Sequence, residues 1–267
     1  MKQLLRFSLP LGFALSLLLG FSACSTVQET GRKRMLFTSP DGEAQQGIAA
    51  FQEIKKTEKI SSNSAAKAQV QRVGRRIASV VNVPNAKWEF VVFEDSTPNA
   101  FALPGGKVGV NTGILPIAQN DNGLAVVLGH EVAHVTTRHG GERASQGTLL
   151  SVGGNILDLG LGIFGGSAGA AVRSVAMGAY GVGAQYGIML PFSRTHEYEA
   201  DQIGLLYTAR AGYDPREAIA FWKRMAAASK GNKVPEFLAT HPMDEKRIKA
   251  LEKAMPAAME EYRKATR

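Results

Sequence analysis

Apolar positions in the first third of the chain recur at helical spacing. Ile48, Phe51 and Ile54 share one face of residues 43–59, and Val70, Val73 and Ile77 share one face of residues 64–81. The run KWEFVVF at 87–93 is aromatic and β-branched, which predicts a strand. A second strand is predicted at 107–111, reached through the turn Pro104-Gly105-Gly106. Asp121 is placed to cap a helix running to about Arg138, apolar through Leu124, Val127, Leu128 and Val132. Ser193 caps another, to about Ala211, with Gly212 at its end. Asp214-Pro215-Arg216-Glu217 opens a third, to about Lys230. The tail after Pro242 is amphipathic, with Pro256 predicted to kink or break its helix. Residues 148–190 differ from the rest. They are rich in glycine, with Asp158 and Arg173 as their only charges, and predict a mobile helical lid or a segment that dips into a membrane.

At 267 residues, 45% hydrophobic and 20% charged, the chain can bury the core of one domain. The amino terminus stands apart from that domain. Lys2 and Arg6 precede the apolar run 9–21, which is too short to span a bilayer and reads as a secretory signal. It ends in Phe21-Ser22-Ala23-Cys24, similar to a bacterial lipobox, and Cys24 is the chain's only cysteine. The expected organisation is a lipoprotein signal peptide at 1–23, lipidation at Cys24, a polar tether at 24–40 and one domain at 41–267. Ser25 after the cysteine implies, by the same resemblance, the outer membrane of a bacterial envelope. The net charge of +8 suits an anionic lipid surface or nucleic acid equally. Export and the absence of an aromatic platform among the scattered basic residues argue against nucleic acid.

The chemistry lies in His130-Glu131-Val132-Ala133-His134, an HExxH pattern inside a predicted helix. Residues four apart share a helix face, so both imidazoles can grip one zinc ion, with Glu131 beside it as general base. A catalytic zinc needs a third protein ligand. An HExxHxxGxxH extension is excluded, since Thr137 and Gly140 stand at its positions, and His139 is expected to be a solvated residue at the helix end. No glutamate occurs between Glu142 and Glu197. The next helical carboxylates are Glu197, Glu199 and Asp201. Glu197 and Asp201 are four apart and suit a ligand and a carboxylate that orients a ligating imidazole. Glu199, half a turn away, is expected in solvent, with a lesser claim to be the ligand.

HExxH followed by SRxxExEAD at 193–201 resembles the HtpX, Oma-type and CAAX prenyl metallopeptidases, and the layout is similar to the family's periplasmic lipoprotein members. Asn99-Ala100-Phe101-Ala102-Leu103-Pro104-Gly105-Gly106 and Thr240-His241-Pro242 add to the resemblance. It implies an α+β, mainly helical zincin-like (gluzincin) fold with a small sheet, and one zinc per chain held by His130, His134 and Glu197. It also implies Glu131 as base, Asp201 as the orienting carboxylate, Asn99 as a substrate-backbone contact, and His241 as a gate or transition-state donor. Peptide substrates are expected to add a strand along Lys107–Asn111 as the sheet's edge. Such binding favours unfolded or misassembled envelope proteins. The alternatives are a latent protease acting mainly as a chaperone-like binder and a processing enzyme with one substrate.

Overall fold

The computed structural model of the protein describes residues 24–148, 193–229 and 235–267. The expected signal peptide, and the expected lid apart from Thr148, lie outside the described residues. Residues 24–35, expected to be part of a tether, instead form an antiparallel hairpin of β1 (Cys24–Thr26) and β2 (Lys33–Met35). The hairpin docks on the domain. Val27 is buried, Glu29 accepts a hydrogen bond from the Tyr207 hydroxyl at 3.0 Å, and Arg34 donates to the Thr137 carbonyl. Cys24 is exposed at its start.

The two amino-terminal stripes form helices as their spacing predicts. In α1 (Pro40–Thr57) the Ser39 side chain accepts the Gly42 N–H, and in α2 (Ser64–Ala78) the Asn63 side chain accepts the Ala66 N–H. Phe51, Val70, Val73 and Ile77 are fully buried. A three-stranded sheet follows, made of β3 (Glu89–Phe93), β4 (Ala100–Leu103) and β5 (Lys107–Asn111) in the order β3-β5-β4. β5 runs parallel to β3 and antiparallel to β4. The expectation for 107–111 is therefore corrected: β5 is the central strand, buried throughout, and the edge is β4. Gly105 and Gly106, at φ of 84° and 79°, reverse the chain and fold β5 back against β4. The outer side of β3 is covered by residues 59–61, through Ser61 N–H to the Val92 carbonyl and Glu94 N–H to the Lys59 carbonyl.

A 3-10 turn (Thr112–Ile114) and α3 (Leu115–Ala118) lead into α4 (Asp121–Thr136). Asn120 caps α4, while Asp121 pairs with Arg72 of α2 at 2.8 Å. α4 is buried continuously from Gly123 to Val135, which makes it the central helix. The chain is helical again over 139–148 (α5). It continues in α6 (Arg194–Arg210), capped by Ser193 and followed by Gly212 at φ 75°, then α7 (Glu217–Ala227), α8 (Glu236–Thr240) and α9 (Glu245–Ala265). α9 passes through Pro256 without a break. That proline is exposed, so water can take the carbonyl it leaves unpaired. Among the described residues no helix is long and apolar enough to cross a membrane.

One crossing positions the site. A Cβ on Gly204 of α6 would lie 2.7 Å from the His130 nitrogen, and one on Gly129 of α4 would lie 2.7 Å from the Gly204 carbonyl. Only glycine at both positions lets the two backbones come this close. The contact sets the polar residues of α6 directly against HExxH.

Candidate metal centre

All five histidines of the chain meet at this crossing. The rings of His130 and His134 lie 4.8 Å apart, His241 packs at 4.9 Å from His130, and His139 at 4.8 Å from His134. His196 stacks on His139 at 4.3 Å. Ligand atoms of His130, His134, Glu197 and His241 all lie within 4.8 Å of one another. α4 supplies the first two, one turn apart, α6 supplies Glu197, and the loop after α8 supplies His241.

The donor set fits a tetrahedral zinc ion. Zinc–nitrogen bonds of about 2.0–2.1 Å imply ligand-to-ligand edges of about 3.3 Å. The Nε2 atoms of His130 and His134 are 3.1 Å apart, and each lies 3.5 Å from a Glu197 oxygen. His241 Nδ1 is 3.2 Å from His130 Nε2 and 3.1 Å from Glu197 Oε1, at the fourth corner. His130 Nδ1 donates outward to Asp201 Oδ1 at 3.1 Å, so its Nε2 lone pair points inward.

The electrostatics favour positive charge at the centre. Burial alone would lower the His130 pKa, but hydrogen bonds to Asp201 and Glu197 raise it to about 9. Burial also works against ionisation of Glu197, yet His241 and His130 hold its carboxyl well below the ordinary value. Burial keeps His134 well below its usual value and therefore neutral. Glu131 is pushed the other way: burial raises its pKa, despite a hydrogen bond from the Ala102 backbone of β4. Its Oε1 has no hydrogen bond among the described residues and lies 3.3 Å from His241 Nε2. An ionised carboxylate there is a stronger base than one in water.

Asp201 lies against His130, and Arg247 of α9 completes the arrangement. The guanidinium is buried, 2.6 Å from Asp201 Oδ2 and 2.9 Å from Glu197 Oε2, and stacks on Trp222 at 4.4 Å. Sequence reasoning missed it. Its one signal is a cation in the first turn of a helix, where the dipole disfavours it unless an anion compensates. Asn99 heads β4, its carbonyl accepting the Asn111 N–H, and stands outside the histidine cluster.

Two expectations are corrected here. His139 is not solvated but fully buried, its Nδ1 2.8 Å from His134 Nδ1 and its Nε2 2.9 Å from Glu199 Oε2. Glu199 is likewise buried, paired with Arg32 of the hairpin at 2.8 Å. Both readings assumed open space where α5 and the hairpin pack.

The family model described as Peptidase family M48 matches residues 64–255, nearly three quarters of the chain. This chain belongs to peptidase family M48. Membership makes it a zinc-dependent metalloendopeptidase with a mainly helical zincin-like fold and a small sheet. The M48 chain is 35% identical over 249 residues to the mitochondrial metalloendopeptidase OMA1 of Schizosaccharomyces pombe, covering 89% of this chain and 68% of that one. Its namesake in Saccharomyces cerevisiae is 40% identical over 183 residues, 66% of this chain and 49% of the other. The beta-barrel assembly-enhancing protease of Yersinia pestis is 33% identical over 186 residues, 67% of this chain and 37% of the other. The M48 chain thus spans about two thirds of the first of these relatives and half or less of the other two.

Proposed function

We propose that this chain is an endopeptidase of the bacterial cell envelope that cuts unfolded or misassembled proteins, with His130, His134 and Glu197 as its zinc ligands. The observation that carries the substrate class is β4, which has a partner strand on one side alone among the described residues and whose Ala102 N–H reaches Glu131. An extended peptide added to that edge is held through its backbone, with little dependence on sequence. Folded proteins seldom offer such a strand, because their edge strands are short, charged or covered. Asn99, at the head of β4, is placed to hold the peptide backbone at one end.

When bound, zinc lowers the pKa of a coordinated water to about 7 and polarises the scissile carbonyl. Glu131 takes the water's proton at Oε1 and returns it to the leaving amine. Asp201 and Arg247 hold His130 in place during both transfers. The apolar run 9–21 and the exposed Cys24 support export and lipid anchoring at the outer membrane, and the name of the Yersinia pestis relative supports a task in the envelope.

The substrate class is tested with the full chain, loaded with zinc, on native and chemically unfolded forms of several proteins. Cleavage at several sites in the unfolded forms and none in the native ones is expected. A single cut in a single protein would replace quality control with dedicated processing.

A second reading, latency, is favoured by His241. Its Nδ1 lies at the fourth corner of the ligand set, where a reacting water would otherwise sit. We expect His241→Ala to retain zinc and cleave faster, as steady-state kinetics on unfolded casein would show. A fall of about a hundredfold or more would instead make His241 an oxyanion donor.

A further inference from the structure

His139 is reached by an unusual backbone turn. Arg138 adopts φ 53°, in the left-handed region that a non-glycine residue rarely occupies. Glu43 of α1 holds it there, accepting Arg138 Nε at 3.0 Å and Nη2 at 2.6 Å. The turn ends α4 and starts α5 in a new direction. As a result His139 folds back on His134 instead of continuing around the α4 axis.

The resulting chain of hydrogen bonds has a fixed direction. Glu199, paired with the Arg32 guanidinium, accepts at Oε2, so His139 Nε2 is the donor at 2.9 Å. Thr30 of the hairpin donates to the other Glu199 oxygen. A neutral His139 that donates from Nε2 carries its lone pair on Nδ1. His134 must then donate from its own Nδ1 across the 2.8 Å contact, which leaves its Nε2 lone pair facing His130 and Glu197. The opposite direction would aim an N–H of His134 into the ligand set. The two α4 imidazoles are thus held by similar devices. His130 meets a carboxylate–arginine pair directly, and His134 meets one through an interposed imidazole.

We infer that His139 is a positioning residue that holds His134 in its ligating tautomer, anchored through Glu199 to Arg32 of the amino-terminal hairpin. The inference rests on the reading of His134 as a zinc ligand. It makes the hairpin next to Cys24 part of the metal site's support, not a spacer.

The test compares the full chain with His139→Leu and His139→Asn. Zinc affinity is measured by competition with a chromogenic chelator, and long-range 1H–15N spectra of the zinc-loaded parent report the His134 tautomer. Asparagine places its side-chain oxygen where Nδ1 stood, so it can still accept from His134. We expect His139→Leu to weaken zinc binding about 10–100-fold and His139→Asn to stay within about threefold of the parent. The spectra should show a proton on His134 Nδ1. Parent-like affinity in His139→Leu, or equal losses in both variants, would overturn the inference. If the leucine variant does not fold, a parent spectrum with His134 Nδ1 unprotonated overturns it alone. A parent that binds no zinc would instead remove the ligand reading beneath it.

Discussion

Glu131→Gln will bind zinc as the parent chain does and cleave unfolded casein about 10²–10⁴-fold more slowly. The replacement is nearly isosteric, and none of the four candidate ligand residues is altered. What it removes is the ability to take a proton. Glu131 is buried and its pKa is raised by that burial, with Oε1 facing His241 Nε2 at 3.3 Å. An amide there offers a weak acceptor or a donor, and neither relieves water of a proton. The fall corresponds to about 3–5.5 kcal/mol in activation free energy. Metal analysis and initial rates on one preparation check both halves. Undiminished cleavage would remove Glu131 from the chemistry.

Glu197→Ala will lose at least about a hundredfold in zinc affinity, because even groups that only support a ligand are worth about 10–100-fold. It removes the one carboxylate among the four clustered ligand residues. It also takes a partner from the buried Arg247, which keeps Asp201 at 2.6 Å. Glu199→Ala is the control. Its carboxylate is 2.9 Å from His139 Nε2 and does not belong to the ligand cluster, so the variant should stay within about tenfold of the parent. Chelator competition on the two proteins decides between them. If Glu199→Ala lost the metal and Glu197→Ala kept it, the ligand would be Glu199.

The relation between Glu197 and Asp201 was legible because helical geometry alone sets it. Residues four apart share a face whatever surrounds the helix. The fate of Glu199 was not legible, because it depends on what covers the opposite face of α6. Arg32 covers it, 167 positions away in the chain, reaching Glu199 Oε2 at 2.9 Å and Glu142 Oε1 at 2.8 Å. No local pattern announces such a pairing. His139 was misplaced for a related reason. Extending α4 one residue further is correct only if the helix continues, and Arg138 departs from it at φ 53°. The turn depends on Glu43, which is nowhere near it in sequence.

The sheet shows the same division. Strand composition at 89–93 and the glycine turn at 105–106 could be read directly, because β-branching and positive φ are local properties. Which strand lies at the edge could not be read, since strand order depends on pairing between segments far apart. Only the assembled sheet puts β5 between β3 and β4 and leaves β4 beside Glu131.

By itself, then, the sequence determined the pair of imidazoles on α4, the glutamate between them, the carboxylates on one face of α6 and, through its motifs taken together, the family to which they belong. The first three follow from spacing within a single element. Tertiary structure alone decided that Gly129 and Gly204 let those helices touch, that Arg247 balances their carboxylates, and that His139 and Arg32 stand behind His134. Buried charges need partners, and the chain finds them wherever folding brings opposite charge within about 3 Å, without regard to distance along the sequence.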